Sequence, residues 1–361
     1  NLRSLSGRRY AHARGVQDLA DLTVNTEFRG VNSNTGGAVS DWEAKMEQGY
    51  LLASLFGAVA PPTTGAATTA TTAGSSGATG TLVVASGTGI SNGQVIAFAT
   101  TTGLQIARVE SGGGTTTLTL SHPFEGTVTN GTTVFRLAVY SVSDSVTHHI
   151  HTMFAAEGED WRRDYFGCAP MSMALALPNA GLVGMTSVFS PTSFSDIAEV
   201  NPSHAEPTSG SPIVVDACKM WFAGLDVIPR DISINYSCAT TARTASTRTN
   251  GKVGGVCGTG DGKTFTIEFS VYVGDGNLSG ELTDGSTTPD LNARLGDDDA
   301  AGDIATTREI SLQVGTEIGA CMYAFLPEAD CVVTTQHVDG LTVARVVATG
   351  TGSLPAILAV G

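Results

Sequence analysis

DYFGCAPMSMALALPNAGLVGMTSVFS, Asp164 to Ser190, carries one charged residue, its first. Met171, Met173, Leu175 and Leu177 fall on one side of an extended chain, with Ser172, Ala174 and Ala176 on the other. That two-residue period marks a strand with one buried face. Pro178-Asn179-Ala180-Gly181 then turns the chain, and Leu182 to Ser190 returns. The stretch predicts a hairpin with a bulky core side and a small outer side, against which something else packs closely.

The rest of the chain agrees with this reading. Of 361 residues, 44 are glycine, 41% are hydrophobic and 15% are charged. Gly and the many threonines are poor interior helix residues, so a mainly β fold with a sizeable core is expected. Phe265, Ile267, Phe269, Val271 and Val273 alternate with Thr266, Glu268, Ser270 and Tyr272, and Ile232, Ile234, Tyr236 and Cys238 alternate upstream. Between them lies a polar stretch, Ala239 to Gly262, much longer than a hairpin loop of about two to five residues. Such a tip is costly to order unless it binds something. One helix is predicted in DWEAKMEQGYLLASLFG, with Trp42, Met46, Leu51, Leu52 and Leu55 on one face, Ser40 as N-cap, Glu43 in a capping box and Gly57 as the stop. VDACKMWFAG, Val215 to Gly224, is too short and too β-branched at its start to rank with it.

Composition changes after Pro61-Pro62. Thr63 to Gly80 carries no charge and reads as a flexible linker. Beyond it, short runs at Leu82–Val84, Val95–Phe98, Gln105–Val109, Thr115–Leu120 and Thr133–Leu137 are separated by Gly, Asn and Ser, as in a small independent β-barrel or sandwich. The expected organisation is a split sandwich domain over 1–60 and 139–361, a Thr/Ala/Gly linker over 61–80 and an inserted all-β domain over 81–138. The charges of that insertion, Arg108, Glu110, Glu125 and Arg136, sum to zero. The whole net charge of −15 therefore lies outside it. Such an acidic chain is poorly suited to wrapping nucleic acid by phosphate neutralisation.

Candidate chemistry is sparse. CGTGDGKT, Cys257 to Thr264, has Cys where a phosphate-cradling loop needs its first Gly, and a strand pattern follows where a helix should. His149 and His151 share a strand face beside His148, but Glu157, Asp160 and His204 complete no metal-ligand spacing, so these read as polar strand residues. The acidic run around Asp297-Asp298-Asp299 lacks EF-hand register. There is no GxSxG elbow and no recognisable cysteine nucleophile motif, so neither catalysis nor a cofactor is expected. The six cysteines are unpaired in spacing and read as isolated thiols of a protein made in a cytoplasm. No apolar run is long enough to cross a membrane, and the basic start leads into no secretory h-region.

The order of these pieces resembles the tail tube (major tail) proteins of long-tailed bacteriophages. The resemblance rests on HTMFAAEGEDWRRDYFGCAPMSMALALPNAGLVGMTSVFS, on DISINYSCAT with its long loop and GKTFTIEFSVYV, on IGACMYAFLPEADCVVTTQHVDGLTVARVVATG, and on the helix WEAKMEQGYLLASLFG. In the last strand stretch, Pro327 ends one strand and Asp339-Gly340 turns before the next. Ser193 to Pro212 has no counterpart in that pattern. The resemblance implies a β-sandwich subunit with a flanking helix, joined to itself in rings of six that stack head to tail into a hollow conduit for double-stranded DNA ejection. It also implies tape measure, tail terminator and tail-tip or baseplate partners, and a place in the virion tail after assembly in the host cytoplasm. A capsid decoration or tail-tip subunit is the alternative.

Charge adds expectations of its own. Arg3, Arg8, Arg9 and Arg14 make a basic arm, and Arg243, Arg248 and Lys252 a basic hairpin tip. Glu281, Asp284, Asp290, Asp297, Asp298, Asp299 and Asp303 make an acidic loop. Opposite charges on separate loops suit head-to-tail contacts between rings, with the arm and tip ordering only on assembly. Acid facing a bore would repel phosphates over roughly 8 Å at physiological salt, letting DNA slide. The neutral, tethered insertion is expected on the outer wall and dispensable for assembly.

Overall fold

The computed structural model describes residues 21–31, 48–60, 62, 67–142, 148–156, 159–191, 193–194, 198–199, 210–216, 218–222, 225–238, 240–244, 252–257, 263–273, 309–338, 341–350 and 356–361. Strands dominate them, with one helix, α1 (Gly49–Phe56). In the larger sheet β1 (Leu22–Glu27), β12 (Gly184–Ser190), β11 (Glu159–Leu177), β17 (Asp231–Cys238), β20 (Lys263–Val273), β24 (Leu341–Gly350) and β23 (Ala329–Val338) lie side by side in that order. Three further strands, β10 (His148–Ala156), β13 (Ser193–Phe194) and β14 (Ala198–Glu199), pair with the first half of β11, so part of the stretch from Ser193 to Pro212 is an extension of this sheet. The smaller sheet runs β16 (Leu225–Val227), β15 (Cys218–Phe222), β21 (Ile310–Glu317), β22 (Ala320–Leu326), β25 (Ile357–Val360), β9 (Ala138–Val142), β2 (Gly57–Ala60).

The opening hairpin forms as its pattern dictates. Leu175 pairs with Met185 and Met173 with Ser187, while Ala174 faces Thr186 and Ala176 faces Gly184. Met173, Leu175 and Met185 are buried in the core between the two sheets; Ala174, Ala176 and Thr186 are exposed on the far side. Pro170, which lacks an N–H for the ladder, sits where the register with β12 shifts, the place a strand tolerates it. The alternating strands β17 and β20 pair directly, Ile234 with Ile267 and Ile232 with Phe269, and Phe269 meets Phe222 of the opposite sheet at a ring distance of 6.0 Å. The pair Val338 and Leu341 closes the hairpin of β23 and β24 around Asp339-Gly340.

The helix is shorter than its sequence pattern. It starts at Gly49 with Gln48 at the N-cap position, and Ser40 and Glu43 lie outside the described residues. Its stop is as expected: Gly57 takes φ 92° and returns its N–H to the Ala53 carbonyl. Leu52, Leu55 and Phe56 enter the sandwich core, where Phe56 stacks on Tyr236 at 5.1 Å and the Tyr236 hydroxyl donates to the Leu55 carbonyl at 2.7 Å. That hydrogen bond satisfies a carbonyl left open at the helix end.

The inserted module differs from expectation in two respects. First, much of the segment read as linker is a strand. β3 (Thr68–Ser76) joins β4 (Thr81–Val84), β7 (Thr117–Leu120), β6 (Gly103–Ser111), β5 (Val95–Thr100) and β8 (Thr133–Arg136) in a closed barrel, which leaves no open edge. Its Thr/Ala composition hid it, because Ala70 fills its inner position with a single methyl. Second, the barrel is not independent. Its own core holds Leu82, Ile96, Phe98, Val109, Leu118 and Phe124, but Val95, Ala97 and Ile106 turn outward into a separate apolar cluster with Val139, Cys321, Tyr323, Phe325, Ile357 and Ala359 of the smaller sheet. The barrel is therefore a third layer, bonded to the outer face of the sandwich. It springs from the tip of a hairpin, since Ala60 pairs with Val139 where the chain leaves and returns.

Polar groups lock this seam. The Gln313 side chain accepts from the Ile106 N–H at 2.9 Å and donates to the Leu104 carbonyl at 2.8 Å, acting as a short strand partner for β6. The Tyr323 hydroxyl donates to Ser311 at 2.9 Å and lies 3.2 Å from the Ser121 hydroxyl. His122 stacks on Trp221 with ring centres 3.7 Å apart, and Lys219 bonds Glu125 at 2.6 Å. Burial lowers His122 to a pKa of about 4, the nearby Lys219 adding a little, and pushes the Cys321 and Cys218 thiols up to about 12.

Candidate assembly surfaces

The far face of the larger sheet is built from small, uncharged side chains over most of its width. One register row across five strands reads Asn25, Thr186, Ala174, Asn235 and Thr266, continuing to Thr349. A neighbouring row reads Ser172, Ser237 and Thr264. Their hydroxyls and amides bond one another: Thr186 donates to Asn25 at 2.8 Å, Thr266 and Thr349 lie 3.4 Å apart, and Ser237 bonds Thr264. From β1 to β20 these rows are small and uncharged, and part of their polarity is met within the sheet.

Charge appears toward one end and at the β23 edge, where the exposed Asp330 extends the first row beyond Thr349. Arg230, Asp231, Glu268 and Arg345 line a depression of about 420 Å³ with Ser270, Gln336 and Val343. Arg345 pairs with Glu268 at 2.5 Å, Arg230 with Asp231 at 3.6 Å, and Ser270 donates to Asp231 at 3.0 Å. These pairs neutralise one another.

The two ends of the main strand order are β1 and β23, and among the described residues neither has a partner on its outer side. Val332 on β23 is 61% exposed, a large apolar side chain at a sheet edge. A row of open N–H and C=O groups flanked by such a residue invites another strand.

Arg243 and Lys252 lie on a separate two-stranded ribbon, β18 (Thr240–Thr244) and β19 (Lys252–Cys257), whose strands lie near β11. This corrects the expectation that the whole tip lacks order in the free subunit: its lower part is already paired. Arg3, Arg8, Arg9, Arg14 and Arg248 fall outside the described residues, as do Glu281, Asp284, Asp290, Asp297, Asp298, Asp299 and Asp303. His148, His149 and His151 are on β10, where His151 pairs with Asp164. Glu157 and His204 are not among the described residues, within which no group of three His, Cys, Asp or Glu side chains is placed to hold a metal ion. Lys263 begins β20 after the CGTGDG segment, a strand where a phosphate loop needs a helix.

The cysteine expectation needs one correction. Cys168, Cys218, Cys321 and Cys331 keep their thiols, but Cys238 is disulfide-bonded. The sixth cysteine, Cys257, ends β19 and pairs in register with Thr240, close in sequence to Cys238. Sequence spacing gave no hint of this because the ribbon between them was read as an open loop.

Two features escaped sequence reasoning. The open edges depend on strand order, which alternation does not reveal. The seam does leave a trace: Val95, Ile96, Ala97 and Phe98 are all buried, a run without alternation that signals a strand covered on both faces. No described helix is long and apolar enough to cross a membrane. Protein-family models and curated proteins, compared with the chain, give no match.

Proposed function

We propose that this protein is the tail tube subunit of a long-tailed bacteriophage, a structural protein that joins copies of itself into stacked rings of six around a DNA conduit. The observation that carries the reading is the wide sheet with a small-residue, largely uncharged face from β1 to β20 and, among the described residues, an open strand at each end of its main path. Edges at opposite ends of one sheet are heterologous surfaces: β23 of one copy is free to meet β1 of the next, and a repeat of that contact closes a ring. The wall that results presents hydroxyls and methyls and few charges, so passing DNA releases few counterions and gains little adhesion. The barrel, seated on the opposite side of the sandwich, then lies on the outer wall. Arg3, Arg8, Arg9, Arg14, Arg243, Arg248 and Lys252 against the acidic loop from Glu281 to Asp303 supply the contact between rings.

The reading is tested by blocking one edge. A lysine in an edge strand disfavours strand addition while staying solvated in the monomer. Val332→Lys is expected to leave the melting temperature of the monomer within about 2 °C, because the site is exposed, and to abolish concentration-dependent growth in sedimentation velocity. Growth identical to the unmodified protein would remove the edge contact from the account. Discrete trimers that bind capsids would favour a decoration role instead.

A further inference from the structure

Where the barrel meets the smaller sheet, a cleft of about 280 Å³ opens beside the seam. Its floor is apolar, built from Val139 on β9, Phe325 on β22 and Ile357 on β25. The barrel contributes polar side chains: Asn92 and Gln94, just before β5, and Arg108 on β6. An apolar hollow with a few convergent polar groups is the usual form of a small-molecule site.

These three side chains all offer donors. The Arg108 guanidinium lies 4.9 Å from the centre of the Phe325 ring. Its Nε is buried without a hydrogen-bond partner, and among the described residues no carboxylate forms an ion pair with it. Stacking holds the fork, and no described acid fills it. The two amides are oriented by their own surroundings. The Asn92 side-chain oxygen accepts from the Gly113 N–H at 2.7 Å, and that of Gln94 accepts from the Ser91 N–H at 3.0 Å. Each amide therefore keeps its NH2 group for another acceptor, and neither group has a partner among the described residues. Between them Gly93 takes φ 88°, and a Cβ built on it would stand 4.0 Å from Arg108 Nη2. The loop is thereby held beside the guanidinium.

Three donors, one of them cationic, above an apolar floor call for an acceptor with one negative charge and an apolar body. We propose that this cleft binds a small organic carboxylate, its head on Arg108, Asn92 and Gln94 and its apolar body on Val139, Phe325 and Ile357. A carboxylate matches the planar guanidinium fork, and one cation balances a monoanion better than a phosphate dianion. Glu309 acts on Arg108 from beyond ion-pair distance; burial pushes its carboxyl up to about 7, so in mildly acidic buffer it is mostly neutral and opposes the head little. The site lies within one subunit, so the inference does not depend on the assembly reading.

Titration of the isotope-labelled full chain in mildly acidic buffer, followed by NMR, tests it. Hexanoate is expected to give saturable shifts at the Arg108 Nε–H and at the backbone amides of Asn92, Gly93 and Gln94, with β20 unmoved. Hexanamide keeps the body and loses the charge, so it should bind at least about tenfold more weakly, as should acetate and inorganic phosphate, which lack the body. Arg108→Gln should cost a similar factor, but it also removes a ring contact at the seam. Gln94→Glu is the sharper variant: its carboxylate still accepts from the Ser91 N–H, so the melting temperature should hold while hexanoate affinity falls at least about tenfold. Absence of saturable shifts at millimolar hexanoate would overturn the site, as would equal affinity for hexanamide or an unchanged affinity in Gln94→Glu. Equal shifts with inorganic phosphate would mark a counter-ion on Arg108 and overturn the carboxylate assignment.

Discussion

Ala180 holds a backbone conformation that its own side chain opposes. With φ 54° it is the one non-glycine residue with positive φ among those described, and it sits exposed in the turn that closes the opening hairpin. The left-handed region costs an ordinary residue about 1 kcal/mol, so Ala180→Gly is expected to raise unfolding free energy by up to about that amount, read as a higher denaturant midpoint. Gly30 is the opposite case: a Cβ there would stand 2.2 Å from the Gly319 carbonyl oxygen, so Gly30→Ala should destabilise by more than about 2 kcal/mol. The turn was legible in the sequence because Pro-Asn-Ala-Gly has local turn chemistry. The need for Gly30 was not, since the clash comes from a residue almost three hundred positions away. His122 gives a pH test at the same scale. Its pKa falls from 6.5 to about 4 on burial, so it contributes stability above pH 6.5 that is lost as pH falls toward 4. His122→Phe keeps the ring on Trp221 and removes that loss. Its melting temperature relative to the parent should therefore rise steadily from pH 6.5 to pH 4; a constant difference would place the proton elsewhere.

At the scale of elements, the decisive feature is that the barrel has two apolar faces. Sequence patterning found five of its six strands because Leu, Val, Ile and Phe recur between Gly and Ser breaks. It missed β3, whose inner position is filled by Ala70, and it missed the docking, because Gln313 and Ile106 meet across 207 residues of chain. The outcome changes what deletion should do. Joining Ala60 to its partner Val139 through a two-residue Asn-Gly turn respects the pairing of β2 with β9, so the sandwich keeps its topology. Yet Tyr323 and Phe325, almost wholly buried now, become exposed. The truncated protein is expected to bind a hydrophobic dye and to melt at least about 5 °C lower, since each newly exposed large side chain forfeits about 2 kcal/mol of burial. An unchanged melting temperature without dye binding would restore the picture of a tethered, separable module.

At the scale of the whole molecule, three layers divide the work. The middle sheet packs against the core on one face and the barrel on the other, and among the described residues no layer covers the far face of the wide sheet. Composition foretold a mainly β fold, and alternation with the Pro178–Gly181 turn foretold the hairpin of β11 and β12; neither told which strands end at an edge, a property of the assembled sheet alone. In the proposed assembly those edges join copies into rings, and loops of opposite charge stack the rings. If the stacking is electrostatic, raising salt from about 0.05 to 1 M, which shortens the screening length from above 10 to about 3 Å, should shorten the assemblies without unfolding the subunit. The most direct measurement is electron microscopy of the purified full-length protein at high concentration and low salt. Hollow tubes of uniform diameter, built from stacked six-membered rings with the barrels projecting outward, are the predicted result. Fields of dispersed monomers, or closed rings bound to shells with no tube at any concentration, would contradict it.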